Sequence, residues 1–133
     1  MRLFLILITG ICFLHGSFQA FCMDCMEHMQ KAVNLHIQKQ KNSFLNQNTY
    51  DKIEFHYEKA LSLCPDLSQT NADFCNNLAN IYFQSGRINK AEKYYKKALA
   101  ISPDMENALF YLAKIYEKKQ FFTLALDCYL KII

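Results

Sequence analysis

The residues best equipped for chemistry sit together in the run Cys22-Met23-Asp24-Cys25-Met26-Glu27-His28-Met29. Two thiols, three thioethers and an imidazole within eight residues make a soft donor set, of the kind that holds Cu(I) or zinc. Met26, not His, follows Cys25, so the run is not a c-type haem attachment site. No second Cys or His pair with ligand spacing follows, and Cys22, Cys25 and His28 would need His36, His56 or a second chain to complete a closed site. The simpler reading places Met26 and Met29 in the core of a first helix and has Cys22 and Cys25 oxidised after export. The sequence favours that reading, and no cofactor is implied.

Elsewhere nothing pairs a nucleophile with a base. There is no Ser between elbow glycines, no phosphate loop and no paired carboxylates on one expected face, so the chain does not read as an enzyme. His15, His28, His36 and His56 are scattered. A net charge of +3 without a clustered basic face excludes nucleic acid as the partner. Without the leader that contains Cys12, five cysteines remain, an odd number that forbids complete internal pairing. Cys64 and Cys75 flank an insertion, which a disulfide between them would close; the alternative is two buried free thiols.

The elements that would carry these residues are helical. With 133 residues, 52% apolar content, three glycines and two prolines, the chain has material for one small core and few turns for a sheet. Arg2 followed by the uncharged apolar run Leu3 to Leu14 reads as a targeting segment, residues 1–20, cleaved after Ala20 or Gly16. If uncleaved, residues 1–21 would persist as a membrane tether. Either way the domain is expected outside the cytoplasm: secreted, periplasmic or membrane-anchored.

After the leader, a first helix is expected over Met26 to Gln40, with Met26, Met29, Val33 and Ile37 facing inward. Lys41 to Thr49 reads as a loop, and a second helix runs from Tyr50 to Leu63 until Pro65 stops it. Asn71 is a candidate N-cap for a helix over Ala72 to Gln84, and Gly86 marks the turn into Ile88 to Ile101. The last pair is expected over Met105 to Lys119 and Phe122 to Ile133.

The organising feature is a repeat. Leu78, Ala79, Ile81, Tyr82, Ala91 and Tyr95 recur 34 residues later as Leu112, Ala113, Ile115, Tyr116, Ala125 and Tyr129. With Cys75, Ala98 and Pro103 these residues fill the coupled positions of the tetratricopeptide repeat, and residues 72–105 and 106–133 resemble that family. Residues 21–71 match only in the second half. There Tyr57 to Asp66 parallels Tyr95 to Asp104, and Ile53 replaces the crossing Ala.

The resemblance implies an all-α, right-handed α-solenoid of about three antiparallel helical hairpins, which holds a protein or peptide segment in a concave groove. It places Asp73, Asn76, Asn77, Asn80, Phe83 and Gln84 in that groove, followed by Asn107, Phe110, Tyr111, Lys114, Glu117 and Lys118. Side-chain amides carry a donor and an acceptor each, so Asn76, Asn77 and Asn80 suit the backbone of an extended peptide. At the other end of the chain Phe122, Leu126, Leu130 and Ile133 form a strip that no later repeat in this sequence covers. That strip is expected as a contact surface, for a second copy or a partner.

Overall fold

The computed structural model describes residues 23–39 and 47–133. Among these, the chain is entirely helical: α1 (23–39), α2 (Gln47–Leu63), α3 (Leu67–Thr70), α4 (Ala72–Gln84), α5 (Ile88–Ile101), α6 (Glu106–Lys118) and α7 (Phe122–Leu130). The leader, Cys22 and residues 40–46 lie outside the described residues. Helices α4 and α5 pair most extensively, then α6 and α7, and α5 against α6 joins the two hairpins.

Each of the two later hairpins, α4–α5 and α6–α7, closes on alanine. Ala79 and Ala91 in the first, and Ala113 and Ala125 in the second, are buried where the two helices cross. A methyl group is the largest side chain that lets two backbones approach this closely, and larger residues fill the space on either side. Tyr82, Tyr95 and Tyr57 are the largest fully buried side chains, with Leu78, Ile81 and Ile115 around them.

Capping follows the sequence in part. The Asn71 side chain accepts a hydrogen bond from the Phe74 amide at 2.9 Å, satisfying one of the free donors that begin α4. Gly86 turns α4 into α5 at φ +79°. The same position one repeat later is Gln120, at φ 64°. A Cβ is disfavoured in that left-handed region, so the second turn is formed at a steric cost the first avoids.

Three expectations need correction. The inner stripe of α1 is Cys25, Ala32 and His36, with Met29 and Leu35 partly buried, while Met26 (60% exposed) and Ile37 (45%) face outward. The face is rotated by about one residue from the expected one, because close packing on α2 selects small side chains over the most apolar ones. The segment after Pro65, where no helix is expected before Ala72, forms the short helix α3, packed on α4 and α5. Helix α7 ends at Leu130 rather than Ile133.

Polar bonds tie one hairpin to the next. Glu54, buried on α2, pairs with Arg87 and lies 3.6 Å from Lys90. Asp51 and Glu58, on the same face, reach Arg87 and Lys90 at 3.3 Å each, and the Tyr82 hydroxyl donates to Glu58 at 2.8 Å. One unit on, Glu92 of α5 takes the place of Glu54 and bonds Lys119 at 2.5 Å. Burial alone would push the Glu92 carboxyl up, but hydrogen bonds from Lys119 and Lys96 bring it below its ordinary value.

Ala79→Leu tests the crossing directly. Overpacking there should destabilise the chain by about 1 to 3 kcal/mol, seen as a lower melting midpoint with the helical signal intact. A midpoint equal to the parent would show that α4 and α5 do not cross at Ala79.

Candidate functional site

Helices α4 and α6 are the first members of their hairpins and present matching strips of side chains. On α4, Asp73 and Gln84 are exposed, and Asn76, Asn77, Asn80 and Phe83 are half-buried. On α6, Asn107, Phe110, Lys114, Glu117 and Lys118 are exposed and Tyr111 is half-buried. Aromatic rings join the two strips: Phe83 meets Tyr111 edge-on with centroids 5.2 Å apart, and Phe110 meets Tyr111 at 5.4 Å. The Lys114 ammonium lies 4.6 Å from the Phe110 ring centroid, a cation–π contact at the open edge.

The three amides differ in what they have left to offer. Asn80 is engaged, since its Oδ1 accepts from the Tyr95 hydroxyl at 2.6 Å. Tyr95 is fully buried and stacks on Tyr111 with rings nearly parallel, and burial pushes its hydroxyl pKa up. Asn77 faces the Tyr57 hydroxyl, whose pKa burial pushes up to about 12 against the bonding effect of Asn77. The Oδ1 of Asn76, like the Tyr57 hydroxyl, is buried without a hydrogen-bond partner, so it becomes an acceptor for a bound segment only if its side chain turns outward.

Two open hollows lie along the strips. One, of about 330 Å³, is lined by Glu106, Asn107, Phe110 and Ile132. The other is lined by His36, Lys39, Tyr50 and Gln84. Lys39 of α1 donates to the Gln84 Oε1 at 2.9 Å and lies over the Tyr50 ring, bringing a cation to the edge of the α4 strip. Neither Lys39 nor Tyr95 was expected near these strips. Lys39 stands in the hairpin where the repeat pattern dissolves, so no spacing points to it, and Tyr95 is a repeat position of α5, not a member of the α4 or α6 strip.

The cysteine and methionine run does not assemble. Among the described residues no group of three or more His, Cys, Asp or Glu side chains is placed to hold a metal ion. Cys25 turns into the core and donates to the Ala60 carbonyl at 3.5 Å, Met23 and Met26 face outward, and His28 contacts His56. Cys22 lies outside the described residues. Cys64 and Cys75 are free thiols, not a disulfide. Cys75 is buried on α4, its Sγ 3.5 Å from the Ser68 carbonyl, and α3 closes the segment that the disulfide would have closed.

At the far end, Phe122, Leu126, Leu130 and Ile133 are exposed, as the repeat implied. Among the described residues no helix is long and apolar enough to cross a membrane.

Comparison with known proteins agrees with this geometry. Residues 72–105 match the tetratricopeptide repeat model. The crystal structure of MamA protein is similar, with a TM-score of 0.53 at 23% identity over 62% of this chain. The match covers 43% of the MamA chain, less than half its length, and at this identity the likeness is one of fold. No curated protein sequence matches.

The Asn80–Tyr95 bond separates a structural duty from a binding one. Asn80→Ala leaves a buried hydroxyl without its acceptor and should cost about 1 to 3 kcal/mol of stability. Adding Tyr95→Phe should restore part of that loss. Equal losses in the single and double variants, measured by denaturant unfolding, would show that the two side chains are not coupled.

Proposed function

We propose that the strips on α4 and α6 form the groove in which this chain holds an extended segment of a partner protein, as a repeat scaffold of the kind that residues 72–105 match. The observation that carries the reading is the row of rings, Phe83, Tyr111 and Phe110, that joins the α4 and α6 strips, with the unpartnered Oδ1 of Asn76 buried on the same helix as Phe83. An extended peptide supplies backbone N–H groups for such an acceptor and side chains for the rings, while Lys114 and Lys118 favour acidic groups near one edge. Asn80 holds the Tyr95 hydroxyl, so its part in binding is to shape the floor of the groove. The targeting segment expected over residues 1–20 supports an activity outside the cytoplasm, as a secreted or membrane-tethered adaptor.

The test is a displayed library of random peptides selected on the purified chain, followed by calorimetric titration of the best binder. Phe110→Ala and Asn76→Ala should each weaken that binder by about tenfold or more, with unfolding midpoints close to the parent. Lys93→Glu, on the outward face of α5, should leave affinity unchanged. Selected peptides that bind the groove variants as tightly as the parent would move the binding surface elsewhere.

A further inference from the structure

Three of the four histidines lie in the α1–α2 hairpin, and two of them touch. The Nδ1 atoms of His28 and His56 are 2.9 Å apart. An imidazole nitrogen donates only when it carries a proton and accepts only when it does not, so a contact this short holds one proton between two rings. Phe55 packs against both, edge-on to His56 at 5.4 Å and to His28 at 6.3 Å, which partly shields the shared proton from water. The charged groups around the pair are Glu27 and Lys31 of α1, and they are ion-paired with each other. From α2 the facing titratable group is His56 itself.

A second proton has no acceptor in this arrangement and would set two N–H groups against each other. The other side chains that hold α1 are Cys25, Ala32 and His36 in the core, Met29 and Leu35 partly buried, and Lys39 on Gln84 and Tyr50. His36 is titratable as well, and it is enclosed with Lys39 nearby. We propose that the His28–His56 contact is a pH-sensitive latch, which keeps α1 docked on α2 while it holds one proton and releases α1 when mild acid supplies the second.

The sign follows from the docked state. Burial, then the charges of His28 and Lys31, hold the His56 imidazole below 6.5, and burial with Lys39 lowers His36 in the same direction. Protons therefore bind the released helix more tightly, so docking is complete above about pH 6.5 and is lost as the pH falls below it. Because Lys39 of α1 bonds Gln84, release would also open one side of the groove; that consequence rests on the proposed function, whereas the latch does not.

Hydrogen exchange on the full chain at about pH 7.5 and about pH 5.5, corrected for intrinsic rates, reads the latch without any ligand. Amides of residues 23–39 should lose protection about tenfold or more in acid, while those of α4 to α6 keep theirs. His56→Gln supplies a donor and an acceptor that never gain charge, so its α1 should lose clearly less protection in acid than the parent's, the remaining loss belonging to His36. Equal protection of the parent α1 at both pH values, or the same loss in His56→Gln as in the parent, overturns the proposal. If the variant fails to dock α1 at either pH, nitrogen NMR of the parent imidazoles decides. One bare Nδ1 that takes its proton in step with α1 opening supports the latch, and two rings titrating independently while α1 stays protected refutes it.

Discussion

Everything in this fold depends on how closely two helices can cross at an alanine pair. Ala79 against Ala91, and Ala113 against Ala125, let α4 meet α5 and α6 meet α7 at short range. The close crossing leaves wedge-shaped space on either side that only large side chains fill, and Tyr82, Tyr95 and Tyr116 fill it. Those tyrosines then need partners for their hydroxyls, and they find them on the neighbouring elements: Tyr82 on Glu58 of α2, and Tyr95 on Asn80 of α4. Packing at one crossing thus dictates which polar residues face the proposed groove and which of them are already engaged.

The joints between hairpins repeat a second device. An acid on the second helix of one unit reaches a basic residue at the turn of the next, Glu54 to Arg87 and Glu92 to Lys119. Half-buried pairs of this kind fix the angle between units more than they add net stability, since desolvation offsets much of the attraction. On α7 the corresponding position is Leu126, exposed among Phe122 and Leu130. The joint that a further element would make here is therefore apolar in character, unlike the two inside the described chain.

The sequence made the two later hairpins legible because each of their constraints has a residue signature: alanine at a crossing, tyrosine in a wedge, glycine or an N-cap at a turn. Helices α4 and α5 end where Gln84 and Ile101 suggested. The first hairpin was harder to read. There Ile53 stands at the crossing position, the connecting segment is long, and the inner face of α1 is chosen by fit rather than hydrophobicity, so Met26 and Ile37 pointed to the wrong side. Long-range polar contacts such as His28 with His56, or Lys39 with Gln84, join residues 28 and 45 positions apart. Nothing in local spacing encodes them. The composition of the candidate groove was readable from the repeat, but the commitment of Asn80 to Tyr95 was not, because it depends on where a side chain of α5 emerges.

The central claim is that the strip shared by α4 and α6 is the binding surface. Mapping amide chemical shifts of the labelled chain on adding a selected peptide tests it most directly. The account predicts the largest changes at Asn76, Phe83, Phe110 and Lys114, with α5 and the outer face of α7 nearly unmoved. Changes concentrated instead on Phe122, Leu126 and Leu130, with the α4 and α6 strips silent, would contradict it.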